Sequence, residues 1–217
     1  MTKHKQPAVS MPLLSVSGLA LWRDMRCLLQ DFSLSLQRGE CVLLAGANGS
    51  GKSSLLNAVC GLVPTEQGRI EWLGQQLAHA DRSQWHYLAH ADALKAEFSV
   101  WENLRFQAAL CGVRLDVDAT QPVLQQLGLT GLMHRPAGQL SQGQKRRTAL
   151  LHLRLLPFRP VWLLDEPFNS LDREARTTLS TWMNAHRAQG GALLFTNHFE
   201  LPPDLLVDRV VSIGDWS

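Results

Sequence analysis

Short apolar runs alternate along this chain with amphipathic stretches, and their periods separate strand from helix. Near the amino end, Leu13 to Val16 and Phe32-Ser33-Leu34-Ser35-Leu36 alternate with period two and predict half-buried strands. Arg38-Gly39-Glu40 turns the chain into Cys41-Val42-Leu43-Leu44-Ala45, a continuous apolar run suited to a parallel strand buried on both faces. Ser53 to Cys60 is helical in pattern, with Gly61 placed to stop it. After a turn from Pro64 to Gly68, strands are predicted at Arg69 to Leu73 and at Trp85 to Ala89, the latter ending in His90.

The character then changes. From Ser99 to about Pro157 the signals are helical. Ser99 and Glu102 have capping-box spacing at the head of a helix that reaches Cys111 and stops at Gly112. A second helix fits Val117 to Leu127, closed by Gly128, and a third begins at Ser141 and ends before Pro157. Strand character returns at Val161-Trp162-Leu163-Leu164-Asp165, then a long helix, Arg173 to Ala188, runs up to Gly190-Gly191. Ala192 to Thr196 and Arg209 to Ile213 are the last strands. Strands alternating with helices predict an α/β fold built on a mainly parallel sheet, whose ligand sits at the strand carboxyl ends. Residues 1–10 are read as a tail and 11–217 as one domain, with a helical subdomain over about 91–157.

Composition narrows the classes. Lys and Arg number 21 against 19 Asp and Glu, so charge gives no ground for a nucleic-acid partner. No uncharged apolar run approaches the ~20 residues of a membrane span, and residues 1–10 lack the apolar core of a signal peptide. Cys27, Cys41, Cys60 and Cys111 show no metal or haem-attachment spacing and suit free thiols in a reducing compartment.

The chemistry concentrates at three strand ends. Gly46-Ala47-Asn48-Gly49-Ser50-Gly51-Lys52-Ser53 reads G-x-x-x-x-G-K-S between a predicted strand and a predicted helix, the phosphate-binding loop in its proper context. Its backbone amides, with the helix dipole behind them, suit phosphate oxygens. Ser54 follows on the helix. Lys52 would reach the β- and γ-phosphates and the Ser53 hydroxyl would hold Mg²⁺. Asp165 closes an apolar strand where a carboxylate can share that Mg²⁺, and Glu166, one residue further out, is placed to orient and deprotonate a water. Leu140-Ser141-Gln142-Gly143-Gln144 combines capping-box spacing with a second anion-seeking helix start.

In that order, Gly46–Ser53, Leu140–Gln144, Val161–Glu166, Ser170-Leu171-Asp172 and Thr196-Asn197-His198 resemble the nucleotide-binding subunits of ATP-binding-cassette (ABC) transporters over nearly the whole chain. The resemblance implies a P-loop NTPase fold with an antiparallel amino-terminal β part, and two subunits sandwiching two ATP molecules head to tail. Ser141, Gly143 and Gln144 of one subunit would then meet nucleotide held by the other, with Glu166 as general base, His198 as γ-phosphate sensor and Asp172 as the coupling residue between sites. His90 stands where the family usually has glutamine. The family's adenine-stacking aromatic falls near Trp22 and Arg23.

His90-Ala91-Asp92-Ala93-Leu94-Lys95 followed by Glu102-Asn103-Leu104 also resembles the ATP-binding subunits of cytochrome c maturation systems. That likeness implies a peripheral subunit on the cytoplasmic face of a bacterial inner membrane, working with integral-membrane transporter subunits in haem export or chaperone release, without binding haem itself. An ABC ATPase for another small substrate, or an ATP-dependent binding switch with little turnover, are alternative readings of the same motifs.

Overall fold

The computed structural model describes residues 11–23 and 25–214; the tail expected at 1–10 lies outside them. Two sheets share one core. The first is antiparallel, in the order β2-β1-β4-β5, from β1 (Leu14–Arg23), β2 (Arg26–Leu36), β4 (Gln67–Trp72) and β5 (Gln75–Gln76). The second runs β6-β7-β8-β3-β9, from β3 (Cys41–Ala45), β6 (Trp85–Leu88), β7 (Val161–Leu164), β8 (Ala192–Thr196) and β9 (Arg209–Ser212), every neighbouring pair parallel.

Parallel strands are apolar throughout because both faces are covered. Along β7, Val161 and Leu163 pack with the antiparallel sheet and α1 (Lys52–Val59), while Trp162 and Leu164 face the opposite core. That second core takes in α2 (Val100–Leu110), α3 (Val117–Gln126), α4 (Gln142–Leu150), α5 (His152–Leu155) and α6 (Arg173–Ala188). Trp72 stacks on Trp85 at 4.3 Å between ring centres and donates its indole N–H to the Val59 carbonyl at 3.0 Å, fastening the two sheets to α1. Among the described residues no helix is long and apolar enough to cross a membrane.

The two amino-terminal strands are longer than expected. The pairing register of β1 shifts between Val16 and Leu19, where Gly18 takes φ 58°. A second shift, between Leu19 and Leu21, falls where Asp31 takes φ 51° within β2. These bulges move the apolar residues to the other phase, from Leu14 and Val16 to Leu19 and Leu21, so simple alternation stops at Val16 although the strand continues. The third helix is also corrected: it breaks at Leu151 into α4 and α5. The His152 Nδ1 lies against the Ala149 carbonyl, and Leu151 and Arg154 donate to carbonyls three residues back, tightening the turn.

Candidate active site

β3 delivers the chain to the carboxyl edge of the parallel sheet, where the phosphate loop turns into α1. Gly46 lies at φ 151°, and a β-carbon there would stand 2.0 Å from the Ile213 carbonyl oxygen, so the close approach of the end of β9 needs glycine. Gly51 is the N-cap of α1, with no side-chain bond to the first-turn amides and no acid in that turn. Lys52 is buried and donates to the Gly46 and Ala47 carbonyls, both at 2.8 Å. Burial lowers its pKa, opposed by the charges of Glu166 and Asp165. The Ser50 hydroxyl is buried without a hydrogen-bond partner among the described residues. An uncapped helix start, an orphan hydroxyl and a buried ammonium form a cradle of donors, which fits a phosphate chain.

Parallel register brings the acids to this edge. Leu164 pairs with Phe195, so the next residues, Asp165 and Thr196, lie side by side. The Thr196 hydroxyl donates to Asp165 Oδ1 at 2.7 Å and accepts from the Glu166 amide at 2.8 Å. Glu166 has φ 47°, a left-handed conformation that turns its carboxylate out of the strand line. One carboxylate oxygen is 3.0 Å from His198 Nε2 and the other 3.5 Å from His90 Nδ1. Asn48, Gly49, Lys52 and Ser53 share one cleft of about 980 Å³ with Glu166, His90 and His198, and Ser54 also lines it. Among the described residues, no three His, Cys, Asp or Glu converge as a self-sufficient metal cage.

At the far end of the cleft stand Arg23, Met25, Arg26 and Leu28; Trp22, half-exposed, is not among the residues that line it. The strand thus presents Arg23 rather than Trp22 to the cleft.

Other expected residues gather elsewhere. Ser141 and Gln144 cap α4 reciprocally: the serine hydroxyl accepts from the Gln144 amide at 3.2 Å, and Gln144 Oε1 accepts from the Ser141 amide at 2.9 Å. A β-carbon on Gly143 would stand 2.7 Å from the Ser170 carbonyl, so glycine lets the loop before α6 pass close to α4. Asp172 caps α6, accepting from the Ala175 amide at 2.9 Å, and lies 3.6 Å from the Arg147 guanidinium. None of Ser141, Gly143, Gln144 or Asp172 lines the cleft.

Two residues escaped the sequence reading. Thr196 stands in the sequence as one residue of a strand-end motif with no role of its own, although the strand pairing alone puts it beside Asp165. Arg146 sits in Lys145-Arg146-Arg147, which looks like a solvated basic run, yet its side chain is 4% exposed and bonded to the backbone behind Glu166.

Fold and cleft together define an ATP-binding subunit: the ABC transporter family model matches residues 29–169, and the chain belongs to that family. It is an ATPase whose turnover is coupled to transport. Within the family it is similar to two curated proteins called cytochrome c biogenesis ATP-binding export protein CcmA. The Aromatoleum aromaticum protein is 41% identical over 205 residues, covering 91% of this chain and 95% of that one. The Albidiferax ferrireducens protein is 43% identical over 192 residues, covering 87% and 91%. A solved ATP-binding subunit of an ABC transporter superposes with TM-score 0.76 at 29% identity, over 86% of this chain and 80% of that one.

Proposed function

We propose that this subunit hydrolyses ATP with Glu166 as general base, as a head-to-tail homodimer driving the membrane subunits of a cytochrome c maturation system. The observation that carries the chemistry is the Glu166 carboxylate held between His198 and His90 in the cleft that also contains Lys52. Glu166 orients a water and takes its proton as the water oxygen bonds to the γ-phosphorus and the bond to the bridging oxygen breaks. Lys52 leaves its loop carbonyls for the phosphates, while His198 holds Glu166 and the γ-phosphate. Ser53 and Asp165 would hold Mg²⁺, which supplies charge neutralisation at the phosphates; one carboxylate and one hydroxyl suit an ion that takes its other ligands from phosphate and water.

Ser141, Gly143 and Gln144 serve a nucleotide bound to a second copy, with Asp172 coupling the two sites. Their absence from their own chain's cleft supports this. Residues of about 91–157 act as the helical subdomain, and the subunit sits peripherally on the cytoplasmic face of the inner membrane. Haem export, or release of a haem-loaded chaperone, is the work driven. The names of the relatives support that cargo. In this reading haem itself is left to the membrane subunits; the chain carries no C-x-x-C-H sequence for covalent haem attachment.

Glu166→Gln should keep ATP binding and lose turnover by about 10²-fold or more, read as phosphate release from purified protein. Parental turnover in that variant refutes Glu166 as base. In cells relying on Lys52→Ala protein, c-type cytochromes should be absent; normal c-type cytochromes there refute the cargo assignment and leave the ATPase intact.

A further inference from the structure

Arg146 lies on α4, yet its guanidinium reaches between two separate hollows of the molecule. Nη1 donates to the Ala89 carbonyl at 2.9 Å and to Asp92 Oδ1 at 3.0 Å. Nη2 donates to the carbonyls of Asp165 and Glu166 at 2.6 and 2.8 Å. One edge of the plate therefore holds the segment after β6, and the other holds the end of β7.

That segment divides between the hollows. His90 faces the nucleotide cleft, whereas Ala91, Asp92 and Ala93 line a mostly apolar groove of about 470 Å³ that also meets Leu110 of α2. The backbone is left-handed on both sides of the guanidinium, with φ 47° at Glu166 and 52° at Ala93. Non-glycine residues keep such angles only where their surroundings hold them there. The Arg146–Asp92 pair is almost dry, with side chains 4% and 8% exposed. Removing one partner of such a pair leaves an uncompensated buried charge, so the arginine cannot lose Asp92 and stay where it is at no cost. A planar guanidinium also moves as one body, carrying both edges together.

We propose that Arg146 is a positioning residue: it fixes the backbone that aims the Glu166 carboxylate, and through Asp92 it makes that aim depend on the groove-lining segment 91–93. The inference rests on Glu166 being the general base. The bland alternative is an arginine that only packs α4 against the sheet.

Single-turnover ATP hydrolysis by the full chain separates the two, with ATP affinity and melting temperature measured alongside. The variants are Arg146→Lys, Asp92→Asn, Glu166→Gln, and each of the first two combined with Glu166→Gln. Lysine keeps the charge but cannot grip both edges. Arg146→Lys should keep ATP affinity within about threefold while the hydrolysis rate falls about tenfold or more, the loss expected of a misplaced reacting group. Combined with Glu166→Gln it should cost no more than about a further twofold, since it acts through a carboxylate already gone. Asp92→Asn should show the same pattern with a smaller loss. Losses that multiply in the combined variants, or a lowered melting temperature with the rate unchanged, overturn the proposal. Parental turnover in Glu166→Gln overturns the base assignment instead. An inactive Glu166→Gln beside a fully active Arg146→Lys refutes the positioning role alone. Should Arg146→Lys fail to fold, Asp92→Asn carries the same non-additivity test.

Discussion

Two helices of this chain begin with anion-seeking sequences, and they treat their first turns in opposite ways. α1 starts behind Gly51, with no side chain satisfying its leading amides. α4 starts behind Ser141 and is closed by a reciprocal pair of bonds with Gln144. A glycine at the cap position in place of a serine costs only a few tenths of a kcal/mol, and such an open end is kept where a ligand will meet the free amides. The capped end needs no ligand to be stable. It keeps its shape by itself and leaves Ser141 exposed, with Gly143 pressed against the loop before α6. The open end thus fits the proposed site for the chain's own nucleotide, and the closed end fits the proposed role towards the nucleotide of a second copy.

The comparison holds only while one sheet carries both ends, and acid should remove that support with the largest effect. His86, His152 and His186 are buried and neutral. Burial is the main cause in each and lowers their pKa values to about 3, 4 and 4. The unfolded chain takes up protons near 6.5 while the folded chain does not, so stability is intact above that pH and falls as pH drops towards 4. At pH 5 the loss is about 2 kcal/mol per histidine, read as the shift of a urea midpoint between pH 7 and 5. Replacing His186 with glutamine should flatten part of that slope; a pH-independent midpoint contradicts the burial argument.

Next in size is a direct contrast between the two ends. Lys52→Ala should weaken ATP binding on the order of 10²-fold by removing charge-assisted bonds to phosphate. Ser141→Ala should leave single-site ATP affinity within about twofold, because that side chain does not line its own chain's cleft. Calorimetric titration decides it, and equal losses would erase the distinction. Smaller still, Ser141→Ala should lower stability by about 1 kcal/mol through the lost cap, seen as a melting temperature down by roughly 2–4 °C. An unchanged melting temperature would mean that the cap is not holding α4. The smallest effect belongs to His90, whose side chain is 64% exposed and 3.5 Å from Glu166. His90→Gln should keep ATP affinity within about twofold and slow turnover less than His198→Ala does; a larger loss would move His90 into the catalytic core.

The open end was legible in the sequence because its chemistry is local: eight consecutive residues carry the loop, and the flanking periods give strand and helix. The capping boxes at Ser99 and Ser141 were legible for the same reason, since both partners lie within one turn. Long-range contacts were not. Arg146 reaches Asp92 and Glu166 across 54 and 20 residues, and nothing in a basic triplet marks its middle residue as buried. The bulges at Gly18 and Asp31 hid half of each strand by reversing the apolar phase. The break at Leu151 was hidden because no glycine or proline marks it, and the turn tightens through backbone bonds three residues back. At the base end the residue types left Trp22 and Arg23 undecided, and only the faces of a paired strand separate them.

The central claim is that the two helix ends belong to two different nucleotides, and light scattering tests it most directly. Glu166→Gln protein, slowed in turnover, should remain a monomer without nucleotide and become a dimer with Mg-ATP. Adding Ser141→Arg should abolish the dimer while ATP still binds. A Glu166→Gln protein that stays monomeric when saturated with ATP, or a dimer indifferent to the arginine at position 141, would contradict the account.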